Sequence, residues 1–399
     1  MSSCSRRTAL GAVLLAALSL DASALHLPPG CGVEALRGGG NPFQQCFGLR
    51  MRNPFHKPQP LPPPPPPPRM RTFKDKYFKV VETLTLMFPV WTVGLSLLAL
   101  WNPDRFEWLT TESATYSILG VGVEMDPFTL FLSMTMLSMG TNLTWKDFYP
   151  IRESIYPICV AFLFQYGVVP ILGWIIGQFL PAPLAVGLVL LASCPGSQSS
   201  NVACFIAGGN LPVSIIMTLL STSVSAVMTP LLVRVLAGAK LAVPGIGIML
   251  SLLKVVIGPT LLGLLLNVYM PHVTAQIKPI TPLIGVVLTS CLCAAPIAGV
   301  ADLLLEQGMG LIVPVVLLHA LSFFIGYTVP RYGLGMSEQY ARTISIESGM
   351  QSAALGFLLA RKHFSSTLTA VPSAVGVLVM SWMGALMSVA WRLKDGGVC

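Results

Sequence analysis

The stretch Ser193-Cys194-Pro195-Gly196-Ser197-Gln198-Ser199-Ser200-Asn201 interrupts a long apolar run, and Ser345-Ile346-Glu347-Ser348-Gly349-Met350-Gln351-Ser352 interrupts another. Both carry Gly-X-Gln-Ser, at Gly196–Ser199 and at Gly349–Ser352. Pro195 lacks an N–H, and Gly196 and Gly349 tolerate non-helical angles, so each run is expected to unwind there. Unwound carbonyls offer oxygens to a cation, while the N-terminus of the helix that follows offers N–H groups to an anion. Such backbone is too costly to leave facing lipid, so it must line a cavity. One Pro-Gly would read as an ordinary kink in a packing helix. Two matched breaks, each dense in polar side chains, point to a binding site.

The composition around the breaks is that of a membrane protein. Of 399 residues, 54% are hydrophobic and 10% charged, with mean hydropathy +0.73; soluble domains carry roughly 25% charged residues. The apolar runs are continuous rather than alternating, which predicts helices, each crossing ~30 Å of hydrocarbon with about 20 residues. The net charge of +8 does not indicate nucleic acid. The basic residues form no patch with interleaved aromatics, and many precede the first span (Arg69, Arg71, Lys74, Lys76, Lys79) or sit in short loops, as positive-inside topology requires. The nine cysteines show no ligand spacing. Cys159, Cys204, Cys291 and Cys293 lie in apolar surroundings, and Cys291 and Cys293 would project about 200° apart on a helix. Neither a disulfide framework nor a metal site is expected, nor any resident cofactor.

Residues 1–24 read as a signal peptide, with Arg6 and Arg7 before the apolar Ala9–Leu20 and a small-residue cleavage site at Ala22-Ser23-Ala24. Residues 25–72 are rich in arginine and contain one acidic residue, Glu34, which suits a transit-like, disordered segment. Its proline run Pro62–Pro68 predicts an extended linker. The pair resembles the bipartite address of algae with complex plastids and implies a plastid (chloroplast) envelope location. The alternative is a secretory leader and a plasma-membrane or other endomembrane protein.

Residues 80–392 form the transmembrane domain. Apolar runs predict about ten spans, at roughly 80–101, 127–145, 155–179, 184–207, 211–237, 243–269, 280–301, 309–330, 343–360 and 366–391. With the N-terminus inside, inner loops collect Lys146, Arg152, Lys278, Arg331, Arg342, Arg392 and Lys394, which favours both termini inside. Ten spans divide into two fives, and the broken span is the fourth of each. An odd number of spans inverts the second half relative to the first.

Apart from Glu82 at the start of the first, Glu347 is the one acidic residue inside a predicted span, and intramembrane carboxylates are functional by default. Gln351 lies one turn on, and Gln165 is an amide inside the third span. Ser214 and Thr218, at i and i+4, share a helix face. Oxygens from Ser200, Asn201, Ser214, Thr218 and Glu347 would make an oxygen-only cage with one negative charge, suited to a hard monovalent cation. Ser221 and Ser225 read as hydroxyls bonded to their own backbone. Lys254 is expected to snorkel, and His319 reads as a packed histidine without a partner.

Cys194-Pro195-Gly196 with Ser200-Asn201, Met139-Gly140-Thr141-Asn142-Leu143-Thr144, Glu347-Ser348-Gly349-Met350-Gln351, and Lys362-His363-Phe364 with Thr369-Ala370-Val371-Pro372 resemble the bile acid:sodium symporter family. The likeness covers roughly residues 80–392 and is closest to the bacterial and plastid branches. It implies an all-α membrane protein with ten helices in an inverted 5+5 repeat. Spans 1, 2, 6 and 7 would form a panel domain, and the rest a core in which two discontinuous helices cross. The resemblance implies a first sodium site of Ser200, Asn201, Ser214, Thr218 and Glu347. It implies a second of Gln165, Glu347 and Gln351 with the carbonyls of Ser348 and Met350. On the substrate side stand Gly196, Ser197, Gln198, Ser199 and Ser352. Two of these depart from the family, which usually has Thr at position 198 and Asn at position 352.

The expected function is sodium-coupled symport of a small organic anion by alternating access, with sodium as co-substrate. A 2-keto acid or monocarboxylate such as pyruvate, or a bile-acid-like anion, is the cargo the resemblance implies. Proton coupling through Glu347 and a membrane ligand sensor without transport are the alternatives. An intramembrane enzyme is disfavoured, because no Ser/His, paired Asp or His/Glu arrangement lies at matching depth.

Overall fold

A computed structural model describes residues 87–110, 114–118, 121–142, 154–238, 243–277, 281–307 and 309–395. The expected signal peptide (1–24) and transit-like segment (25–72) lie outside the described residues. Helix dominates. Among the described residues, five helices are long and apolar enough to cross a membrane: Ile155–Gly177, Leu211–Ala237, Gly245–Tyr269, Gly310–Gly333 and Thr367–Lys394.

In chain order the main helices are α1 (Phe88–Trp101), α2 (Pro127–Asn142), α3 (Ile155–Gly177), α4 (Ala182–Ala192), α5 (Ser199–Ile206) and α6 (Leu211–Ala237). Then follow α7 (Gly245–Tyr269), α8 (Thr281–Gly299), α9 (Gly310–Gly333), α10 (Glu338–Gly349), α11 (Ala353–His363) and α12 (Val371–Lys394). The runs expected at 184–207 and 343–360 are each two helices, α4 with α5 and α10 with α11, interrupted where the Gly-X-Gln-Ser motifs fall.

One element departs from an all-helical reading. Between α1 and α2, strands β1 (Ala114–Ile118) and β2 (Val121–Met125) pair antiparallel, Tyr116 opposite Val123 and Ile118 opposite Val121. The segment is too short to span, and its β-branched and aromatic residues favour a pleated pair.

Three of the long helices contain a π-helical turn, at Phe164–Val168, Leu253–Ile257 and Val329–Gly333. Each lies at or just before a proline, Pro170, Pro259 or Pro330. Proline supplies no N–H and crowds the carbonyl one turn back, and a widened turn relieves the crowding. The turn in α3 carries Gln165. The turn in α7 carries Lys254, which is exposed, as a snorkelling lysine should be.

Helices α2 and α7 pack along each other, and α8 packs against both α1 and α2. Gly140 and Gly263 let α2 and α7 meet backbone to backbone; a Cβ at Gly263 would lie 2.7 Å from the Thr141 nitrogen. A second group builds around α9, α10 and α12, with α4 against α3 and α12. At one end the groups meet through a hydrogen bond between Ser251 Oγ of α7 and His363 Nε2 of α11, 2.8 Å long.

Arg342 was expected in an inner loop. It lies instead in α10, buried. Its guanidinium donates to Asp395 beyond α12 (2.5 and 2.8 Å), to Glu338 (3.1 Å) and to the Ala207 carbonyl after α5 (2.8 Å). These bonds tie both broken helices to the end of α12. The Arg342 guanidinium also holds the Asp395 carboxyl below its usual range. A charge in a hydropathy window reads as a loop marker; two acceptors from other segments, Asp395 and the Ala207 carbonyl, with Glu338 one turn back in α10, are what let this one be buried.

Candidate functional site

The two breaks meet backbone to backbone. Gly196 pairs antiparallel with Gln351. The Ser197 N–H donates to the Met350 carbonyl (2.9 Å), and the Ser352 N–H donates to the Pro195 carbonyl (2.8 Å). Aligned on Gly-X-Gln-Ser, Ser197 and Met350 are equivalent positions, and they lie opposite each other in the crossing. Two N–H groups that the sequence reading left free for an anion, those of Ser197 and Ser352, are therefore used to join the breaks.

A helix end leaves carbonyls without donors, and buried carbonyls must find them elsewhere. Here side chains supply them, three from other helices and one from within the second break. Thr229 Oγ1 donates to the Ser193 carbonyl (2.7 Å) and Gln165 Nε2 to that of Cys194 (2.7 Å). Gln351 Nε2 donates to the Ser348 carbonyl (2.8 Å), and His319 Nδ1 bonds that of Gly349 (2.8 Å).

Glu347 lies beneath this crossing, on the last turn of α10, and is buried. Ser200 Oγ of α5 donates to its Oε1 at 2.8 Å, and Ser214 Oγ of α6 donates to the same oxygen. Thr218 Oγ1, one turn further along α6, donates to Oε2 at 3.2 Å. Asn201 Oδ1 is joined to Ser214 Oγ at 2.9 Å and to Thr218 Oγ1 at 3.4 Å. Five residues from three helices thus form one cluster around one carboxylate. The i, i+4 spacing of Ser214 and Thr218 aims both hydroxyls at it. A Cβ at Gly196 would stand 2.9 Å from Glu347 Oε2, so the first break must be bare at that point.

The second expected group comes together only in part. Gln165 Nε2 donates to Gln351 Oε1 at 2.5 Å, beside the Ser348 carbonyl held by Gln351. The hydrogen bonds of the Glu347 carboxylate all go to the first cluster, so it does not bridge to the glutamines. Among the substrate-side residues, Ser197 Oγ and Ser199 Oγ are 2.8 Å apart. Gln198 turns out of the break toward α2, its amide 3.4 Å from the Thr135 carbonyl and 3.4 Å from Met139 Sδ. Ser352 is buried at the start of α11.

Several members were missed from the sequence. Ser221 does bond its own backbone at Thr218, as expected, but it also accepts the Gly196 N–H at 3.3 Å. Tyr166 OH donates to the Ser221 carbonyl at 2.6 Å. Thr229 and His319 cap the breaks as above, so His319 is not without a partner. Ser225 bonds only the Thr222 carbonyl among its described contacts. Hydroxyls spaced along α6 were the one available signal, and it did not separate those facing the breaks from those facing their own turn.

Two interrupted helices crossing antiparallel over a buried, hydroxyl-ringed carboxylate define the core of a membrane transporter with discontinuous helices. The family model described as the sodium bile acid symporter family matches residues 129–307. The chain is 45% identical over 320 residues to the probable chloroplastic sodium/metabolite cotransporter BASS2 of Oryza sativa subsp. japonica, across 80% of this chain and 73% of that one. It is 39% identical over 322 residues to BASS1 of the same rice (80% and 76%). To BASS1 of Arabidopsis thaliana it is 35% identical over 326 residues (81% and 78%). The chain belongs to the sodium bile acid symporter family. It is a transporter rather than an enzyme, and a multi-pass plastid membrane protein.

Proposed function

We propose that the chain is a sodium-coupled symporter of a small organic anion in the plastid envelope. The observation that carries this reading is the cluster of Ser200, Asn201, Ser214 and Thr218 around Glu347. Sodium replaces the hydroxyl protons as the partner of the carboxylate, and neutral oxygens complete its shell. A second ion is held by Gln165, Gln351 and the carbonyls of Ser348 and Met350, with Glu347 supplying charge from the neighbouring cluster. The ions stabilise the crossing and lower the cost of an anion at the breaks, where Gly196, Ser197, Gln198, Ser199 and Ser352 face it. Signal and transit-like segments at 1–24 and 25–72 deliver the 80–392 domain.

The described helices are read as ten spans in an inverted 5+5 repeat, supported by the antiparallel pairing of equivalent break residues. The group α1, α2, α7 and α8 acts as a panel, and the rest as a core; rocking of one on the other alternates access. A shallow, partly open cleft between α5 and α12 is lined by Ser199, Val202, Ile206, Met350, Ser381 and Ser388. A 2-keto acid or monocarboxylate such as pyruvate is the preferred cargo over a bile-acid-like anion, because the similar rice proteins are named sodium/metabolite cotransporters.

The test is uptake of labelled pyruvate into proteoliposomes under an imposed sodium gradient. Accumulation that collapses with potassium in place of sodium, and in Glu347→Gln, is expected. Uptake driven equally well by a pH gradient without sodium would replace sodium coupling by proton coupling. Binding without accumulation would make the protein a sensor.

A further inference from the structure

The last turn of α10 is shaped by a neighbouring helix. Ser345 Oγ donates to the Phe323 carbonyl of α9 at 2.7 Å. A Cβ at Gly349 would lie 2.5–2.6 Å from three atoms of the Phe323 ring, so α9 and the break are in full contact. One turn before Phe323, His319 bonds the Gly349 carbonyl through Nδ1 at 2.8 Å. A carbonyl only accepts, so Nδ1 carries the hydrogen.

The ring is 1% exposed, and its Nε2 has no hydrogen-bond partner among the described residues. A buried nitrogen left unsatisfied is unfavourable, and an apolar side chain would fill the same slot without that defect. The bond to Gly349 is therefore the polar contribution of this residue. Gly349 stands between Ser348 and Met350, and Met350 is extended (φ −114°, ψ 91°). In backbone that leaves a helix for an extended turn, holding one carbonyl sets the direction of the next. With the Gly349 carbonyl turned to α9, that of Met350 faces the first break and meets the Ser197 N–H at 2.9 Å.

We propose that His319 is a positioning residue for ion coupling: its Nδ1–H holds the Gly349 carbonyl on α9 and so aims the flanking carbonyls of Ser348 and Met350 at sodium. This rests on the sodium reading above. His319 touches neither ion nor anion. It sets ion affinity rather than the turnover of the loaded protein.

The full-length protein is reconstituted as wild type, His319→Leu, His319→Asn and His319→Gln. The asparagine amide places a donor where Nδ1 sits; the glutamine amide places it one bond too far. In His319→Leu the sodium concentration for half-maximal pyruvate uptake should rise about tenfold, the loss of one buried hydrogen bond, while the rate at saturating sodium is kept. Hydrogen–deuterium exchange of residues 345–356 should quicken in the same variant. His319→Asn should restore both to near wild type, and His319→Gln should not.

An unchanged sodium requirement in His319→Leu overturns the proposal, as does an Asn variant no better than Gln. The Asn and Gln pair decides the matter even if the Leu variant does not fold. Faster exchange with an unaltered sodium requirement also overturns it, while leaving the role of Glu347 intact. Wild-type uptake indifferent to sodium, with Glu347→Gln equally silent, removes the sodium reading and this inference together.

Discussion

The first break and the second share a motif but divide the chemistry between them. The first holds Pro195 and only neutral side chains, and it supplies Ser200 and Asn201 from the turn of helix that follows. The second has no proline and ends a helix on the one carboxylate of the cluster, Glu347. Their carbonyls are capped by different helices: α3 and α6 serve the first, while α9 serves the second. A repeat of sequence has become a pairing of unlike halves, with charge on one strand and neutral oxygens on the other. Neither break is a complete site without the other, so an ion that binds there joins them.

The hardest blow to that pairing is Glu347→Gln. With the carboxylate gone, two or three charge-assisted hydrogen bonds become neutral ones. Sodium-dependent uptake should fall by about 100-fold or more, equivalent to ~3 kcal/mol. Vesicle uptake across a sodium titration measures it, and a variant with wild-type sodium dependence would dissolve the distinction between the halves.

The two glycines should fail in different ways. Gly349→Ala drives a methyl into the Phe323 ring, and overpacking of this kind costs about 1–3 kcal/mol of stability. Gly196→Ala meets a carboxylate oxygen at the end of a side chain, which can shift. It should keep the fold and weaken sodium. Melting in detergent with and without sodium separates them: a lower melting temperature for Gly349→Ala without sodium, and a smaller sodium-induced rise for Gly196→Ala. The reverse pattern would contradict the contacts described.

Hydroxyls on α6 provide a finer scale. Ser214→Ala removes a direct donor to Glu347 and should raise the half-saturating sodium about tenfold. Ser221→Ala removes the acceptor of the Gly196 N–H together with a bond to its own helix, and an effect of roughly threefold is expected. Ser225→Ala, whose hydroxyl bonds its own helix, should change transport by less than about twofold. Equal effects at the three positions would mean that α6 acts as a polar face rather than through aimed contacts.

Composition and pattern by themselves determined that the chain crosses a membrane, that two spans are broken, and where. Those features are local: hydropathy is summed over a span, and a Pro-Gly or a Gly-X-Gln-Ser motif acts on its own turn. The i, i+4 pair Ser214 and Thr218 was legible for the same reason, since helical spacing alone puts both on one face. Partnership across the fold was not legible. Which carbonyl His319 meets, which backbone N–H Ser221 accepts, and how Arg342 is buried beside Asp395 depend on helices far apart in sequence being brought within 3 Å or so. The register of the crossing, Ser197 opposite Met350, is of that kind as well. The sequence names the two breaks; only the packed helices decide which atoms of one face the other, because a hydrogen bond is set by position and direction rather than by residue type.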